Sequence, residues 1–267
     1  IPVKQKINQI RVNLERARWV FHKLPPNFIA VDIAGFQAFH IEGITEKWSS
    51  KVQVGKPFRK TPVFKSKIKY LVFNPTWTVP PTILQKDILP KVKKNPDYLR
   101  EKKISVIDRK GKRVDPGSVN WSKYSKGVPY TLRQEPGPHN ALGRIKFIFP
   151  NKYFIYLHDT PSRSLFQRQD RAFSSGCIRV DKDIELAEIL LNDSEKWNRE
   201  RIQELIDTNK TRRVNLPKAI PIMLLYVTLW FDENNTLIFK KDVYDRDLQV
   251  LEGLDENFTI WQTRAIN

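Results

Sequence analysis

Residues 171–180 read Arg171-Ala172-Phe173-Ser174-Ser175-Gly176-Cys177-Ile178-Arg179-Val180 and hold the only cysteine of the chain. A lone cysteine is, as a rule, a small and inert buried hydrophobe. The flanks argue otherwise here, because Ser-Ser-Gly is a polar, tight-turn context in which glycine lets a ligand approach backbone N–H groups. A thiol is mostly protonated near neutral pH, so it becomes a nucleophile only beside an imidazole, a helix N-terminus or cations. The sequence offers each of these. His158, in Tyr156-Leu157-His158-Asp159-Thr160, is the candidate base; Arg168, Arg171 and Arg179 are close in sequence; and a helical pattern begins near Asp181. Cys177 paired with His158 is therefore the expected reacting couple.

Working outward, Ile7, Ile10, Leu14 and Ala17 recur at helical spacing and predict an N-terminal helix with that apolar face inward, ended by Pro25-Pro26. Alternation predicts strands over Phe28–Ile33, Phe36–Ile41 and Lys47–Val54, and later over Lys69–Phe73, Ile104–Ile107, Arg144–Phe149, Phe154–Leu157, Ile222–Phe231 and Leu237–Lys241. Asp232-Glu233-Asn234-Asn235 is the turn between the last two. Helices are expected over Ile83–Val92, after the cysteine motif with Asp181, Asp183 and Glu185 in the first turn, and over Lys196–Ile206. The fold class is α+β, mainly β: a mixed or antiparallel sheet core with flanking helices. Between Pro80 and Pro138 the character shifts to prolines, lysines and polar residues, which predicts an insertion between core strands.

With 267 residues and 40% hydrophobic content the chain can bury a substantial core. The net charge of +18, from 47 Lys and Arg against 29 Asp and Glu, calls for an acidic partner or a solvated basic surface. Nucleic acid is the obvious competitor, but the charges are scattered and no recognised nucleic-acid motif accompanies them, so none is expected. The histidines His22, His40, His139 and His158 are dispersed, no zinc-ligand spacing exists, and neither metal nor cofactor is expected. A single cysteine forms no intramolecular disulfide and leaves the compartment open. No apolar stretch approaches the roughly 20 residues of a membrane span. The chain starts at Ile1 without a signal-peptide pattern, so it is expected to be an excised or processed piece whose targeting region is absent.

The pattern of His158 followed downstream by Ser174-x-Gly176-Cys177-x-Arg179 resembles the signature of the L,D-transpeptidase catalytic domain (YkuD-type) family. Val12-Asn13-Leu14-Glu15-Arg16-Ala17-Arg18-Trp19, Lys60-Thr61-Pro62-Val63-Phe64, Tyr70-Leu71-Val72-Phe73-Asn74-Pro75, Asn140-Ala141-Leu142-Gly143 and Tyr156–Pro161 are similar to its large, YcbB-like Gram-negative branch, so the resemblance covers nearly the whole chain. Many members carry His-Gly-Cys where this chain has Ser175-Gly176-Cys177, and any role of that extra histidine falls to Ser175 or to no residue.

The resemblance implies a YkuD-like core over residues 25–267 behind an N-terminal helical segment at 1–24, with the insertion at about 80–138 forming a capping lid. It implies peptidoglycan stem peptides as donor and acceptor, 3→3 cross-links made through a Cys177 thioester with release of D-alanine, and carbapenem β-lactams as covalent inhibitors. It also implies a periplasmic location, with membrane contact only through an N-terminal anchor that this chain lacks. In that scheme the Gly176 and Cys177 N–H groups hold the oxyanion, Arg179 and Arg171 pair with substrate carboxylates or orient the loop, and Ser174 and Ser175 support it. Tyr156, on the same strand face as His158, either enters the cleft or packs. Trp77, Trp121 and Tyr124 either contact substrate or pack the lid onto the sheet. The cysteine–histidine pair serves equally a carboxypeptidase or endopeptidase of the same fold, and a noncatalytic basic wall-binding module needs neither residue.

Overall fold

The computed structural model describes residues 2–125, 127–232 and 234–256. Its centre is a nine-stranded mixed sheet built from β1 (Asn27–Asp32), β2 (Gln37–Glu42), β3 (Thr45–Gly55), β4 (Phe64–Phe73), β9 (Ile145–Ile148), β10 (Leu157–His158), β11 (Ala172–Ser174), β12 (Ile178–Val180) and β13 (Arg212–Leu225). The spatial order is β11-β3-β12-β10-β9-β4-β13-β1-β2. β3 pairs with β2 as well, so the sheet closes on itself, and the three-residue β11, paired only with β3, is left as a short edge. Three pairs are parallel, β1 with β13, β10 with β12 and β11 with β3, and the remainder are antiparallel.

The core holds Phe73, Phe147, Phe149, Ile29, Leu71 and Tyr244, with the helix Asp183–Leu191 adding Leu186, Ala187, Leu190 and Leu191. Each such side chain contributes about 1.5–3 kcal/mol by leaving water. The fold is thus α+β and mainly β.

Residues from Trp77 to Gln134 build a second, four-stranded sheet in the order β5-β8-β6-β7, from β5 (Trp77–Thr78), β6 (Ser105–Ile107), β7 (Arg113–Val114) and β8 (Thr131–Gln134). It has its own core of Val79, Leu89, Val92, Leu99, Val106, Trp121 and Leu132. Asn140 Nδ2 donates to Pro75 O at 2.8 Å and to Glu135 O at 3.0 Å, pinning the two stems of this insertion together.

Several expected elements differ. The N-terminal helix, Val3–Val20, buries Val12, Asn13 and Arg16, while Ile7 and Leu14 are 52% and 63% exposed. Its inner face is held by polar groups: Asn13 exchanges 2.8 Å hydrogen bonds with the Thr228 hydroxyl and backbone N–H, and Arg16 pairs with Asp247 at 2.6 Å. The strand expected over Phe154–Leu157 shrinks to β10, because Phe154 has φ of +56° and Asn151 caps the preceding turn through Tyr153 N and Ile155 N. The single strand expected over Ile222–Phe231 is split into β13 and β14 (Leu229–Phe231), since Thr228 N–H turns to the Asn13 side chain. β14 pairs with β15 (Leu237–Phe239), and of the connecting turn Glu233 lies outside the described residues.

Candidate active site

The cysteine stands at the mouth of β12. That three-residue strand lies between β10, to which it runs parallel, and β3, so His158 is level with Arg179 on one side and with Lys146 of β9 on the other. Residues that share a row across a sheet project to the same face. Three basic side chains, Lys146, His158 and Arg179, are thereby aligned below the thiol.

The turn before Cys177 is fixed from within. Ser174 Oγ donates to Cys177 O at 2.5 Å and accepts from Gly176 N at 3.0 Å. Thr61 Oγ1 donates to Gly176 O at 2.9 Å. Gly176 has φ of +120°, a conformation reserved for glycine, and Gly55 faces it so closely that a Cβ there would stand 3.1 Å from Gly176 Cα and 2.1 Å from Arg59 O. Because Gly176 N–H is taken by Ser174, it does not face the cavity as an oxyanion donor. Cys177 N–H is matched to no acceptor among the described residues.

The thiol donates to Phe154 O at 3.9 Å, and Tyr156, through its hydroxyl and its backbone N–H, favours the thiolate. No hydrogen bond joins His158 to Cys177 among the described residues. His158 instead places Nδ1 2.5 Å from Asp159 O, which holds the ring proton on Nδ1 and leaves Nε2 as the lone-pair nitrogen. Its ring centroid is 5.6 Å from that of Tyr156. Burial, helped by the Arg179 and Lys146 charges, pushes the imidazole down to about 3 despite the Asp159 and Leu142 carbonyls. The ring is therefore neutral at physiological pH. Asp159 is itself anchored by Arg163 at 2.6 Å and by Arg144 N at 2.9 Å.

Burial raises the Cys177 thiol above its ordinary value, against the lowering influence of Tyr156, Lys146 and Arg179. The nearby cations thus do not produce a resting thiolate, and the thiol needs a base. Nor does a helix N-terminus act on it, since β12 intervenes before the helix Asp183–Leu191. Burial also raises Tyr156, with the thiol adding to the effect, and lowers Lys146, whose Nζ stands 3.8 Å above the Tyr156 ring centre.

Over the thiol lies a cavity of 830 Å³. Its floor includes Tyr156, His158, Ser174, Ser175, Gly176, Cys177 and Arg179, and its wall and roof include Arg59, Trp77, Pro80, Pro81, Ile83 and Phe154. Trp77 faces this space. Trp121 does not: it is buried in the core of the insertion, donating to Pro116 O at 2.9 Å, with Tyr124 packed beside it. Arg171 is turned away as well, its guanidinium bound to the carbonyls of Val52, Arg168 and Phe36. Arg179 donates to Gln53 Oε1 at 3.1 Å. The sequence reading missed Lys146 and Arg59, which only strand register and the insertion bring to the site. Among the described residues no cluster of His, Cys, Asp or Glu fits a metal ion, and no helix is long and apolar enough to cross a membrane.

Fold and site together define a closed mixed sheet with a cysteine, a tyrosine and a neutral histidine under a roofed cavity. A family model for the L,D-transpeptidase catalytic domain (YkuD) matches residues 26–194. The chain belongs to that family. A Haemophilus influenzae protein with the provisional name L,D-transpeptidase is 37% identical over 255 residues, covering 94% of this chain and 51% of the relative, so the chain spans about half of that protein's length. Among solved structures, an L,D-transpeptidase from Mycobacterium smegmatis is 13% identical with a TM-score of 0.35, over 75% of this chain and 58% of that one. The catalytic domain of the Enterococcus faecium L,D-transpeptidase, acylated by ertapenem, is 10% identical with a TM-score of 0.33, over 76% of this chain and 99% of that one.

Proposed function

We propose that this chain is the acyl-transfer unit of a peptidoglycan L,D-transpeptidase that forms 3→3 cross-links. The observation that carries the reading is the position of Cys177, with Tyr156 and a neutral His158, on the floor of an 830 Å³ cavity in a chain of this family. The protonated resting thiol calls for a base, and the neutral imidazole, with its proton parked on Nδ1, is the group able to accept the thiol proton. The sulfur then attacks the carbonyl of the third residue of a tetrapeptide stem. Cys177 N–H, which has no acceptor among the described residues, and the Tyr156 hydroxyl are the donors available to the developing oxyanion. His158 returns the proton to the departing amine, and D-alanine leaves. The amine of a second stem opens the thioester, its proton again passing to His158, and the free thiol is regenerated.

Arg179 supplies positive charge on the floor, Ser174 shapes the turn, and Ser175 sits at the cavity edge. Residues 80–138 act as the lid, keeping water from the thioester, while residues 1–24 form a helical segment beside a catalytic unit spanning 25–267. The same chemistry makes Cys177 a target for carbapenems, whose strained carbonyl stands in for the donor. The substrate locates the chain in the periplasm. The test is to incubate wild type and Cys177→Ala with a disaccharide-tetrapeptide and separate the muropeptides. Cys177-dependent cross-linked dimers support the reading, and shortened peptides without dimers assign the site to a hydrolase.

A further inference from the structure

Arg59 belongs to no motif, yet it ties three parts of the site together. Its guanidinium grips Asp87 through two bonds, Nη1 to Oδ2 at 2.5 Å and Nη2 to Oδ1 at 2.9 Å, and Nη1 also donates to Ser175 Oγ at 2.8 Å. Nε is buried without a partner among the described residues. Arg59 lines the cavity with a side chain only 12% exposed, whereas Asp87 is 38% exposed. The counter-ion of a buried wall cation is thus delivered by the inserted subdomain.

Asp87 lies in a π-helical turn, Leu84–Ile88, between the α-helical turns Pro81–Ile83 and Leu89–Lys94. Such turns are rare and concentrate at functional positions. The other cations lining the cavity do not hold carboxylates: Lys60 donates to Tyr244 O, and Arg179 donates to the Gln53 amide. A two-point guanidinium–carboxylate fork is how arginine takes a peptide C-terminus, and a side-chain carboxylate reproduces it atom for atom.

We propose that Arg59 is the carboxylate-binding residue of the cleft and that Asp87 is its intramolecular stand-in, displaced when the C-terminal carboxylate of a stem peptide takes the same fork. The inference rests on the substrate class proposed above. Exchange frees the insertion from the turn beside Cys177, so carboxylate recognition and release of the roof are one event. Ser175 keeps the guanidinium in place while the partners change.

Binding titrations in the full chain carrying Cys177→Ala, where no acyl transfer occurs, test it. The probes are the stem tetrapeptide with a free C-terminal carboxylate and the same peptide as its C-terminal amide. The acid is expected to bind about tenfold tighter than the amide, the scale of one charge-assisted fork. Adding Asp87→Asn should tighten the acid severalfold and leave the amide unchanged, and Arg59→Gln should erase the preference. Equal affinity for acid and amide, absence of binding by either, or an acid affinity indifferent to Asp87→Asn overturns the proposal. If wild type forms a Cys177 thioester while the acid preference is absent, the Arg59 assignment falls alone. If the preference holds and no thioester forms, the transpeptidase reading falls instead.

Discussion

His158 should make the protein acid-sensitive in a way that can be isolated. Its imidazole is held at about 3 by burial and by the Arg179 and Lys146 charges, against 6.5 in the unfolded chain. The folded state thus refuses a proton that the unfolded state accepts, so this contribution is present above pH 6.5 and is lost as pH falls toward 3. Linkage with these two values gives a loss of about 2 kcal/mol between pH 7 and pH 5. Asp183 acts in the opposite sense: burial and the adjacent Asp159 push its carboxyl up to about 7, so its contribution grows as pH falls toward 5. The total curve therefore hides the histidine. The difference between wild type and His158→Gln removes the common part. Urea unfolding at pH 7, 6 and 5 should show wild type losing about 2 kcal/mol more than the variant on acidification. A difference that stays flat, or grows in favour of wild type, would falsify the assignment of a buried neutral imidazole.

Tyr156→Phe removes the hydroxyl that lowers the thiol against burial, and iodoacetamide alkylation of Cys177 at pH 7 should slow about tenfold, the scale of one interaction with a charged group; an unchanged rate would mean the hydroxyl does not stabilise the thiolate. Gly176→Ala forces φ of +120° on a residue with a Cβ only 3.3 Å from Ile155 Cδ1, so the urea midpoint should drop by the equivalent of about 1–3 kcal/mol. An unshifted midpoint would show that the turn is not strained. Trp121→Ala empties the core of the insertion at a cost of about 3–5 kcal/mol, and limited proteolysis should then cut first within residues 77–134 while the main sheet survives. Simultaneous loss of both would show that the two cores are not separable.

The strands that read correctly are those whose pattern is local. β1 and β2 carry alternating or continuous apolar residues across a hairpin, and the sequence places them within a residue or two. β12 is invisible by the same criterion, since three residues cannot display a period and its neighbours come from β3 and β10. The first half of β13 carries Pro217 and charged residues, and a register shift between Asn215 and Ile220 accommodates them. In the first helix apolar spacing does not mark the inner face, because Asn13 and Arg16 satisfy Thr228 and Asp247 there. At the site, Cys177, His158 and Tyr156 were legible because a short strand and a turn carry them. Of the two roles open to each, Trp121 takes the packing one and Arg171 the loop-orienting one, a choice that proximity in sequence does not state. Lys146 and Arg59 stayed hidden because strand register and an ion pair across the insertion bring them in.

The most direct test of the account is the intact mass of wild type and Cys177→Ala after incubation with a disaccharide-tetrapeptide, with the thiol reduced and folding verified by circular dichroism. The account predicts an adduct on wild type equal to the donor minus D-alanine, cleaved by hydroxylamine and absent from the variant. An unmodified wild type, or the same adduct on Cys177→Ala, would contradict it.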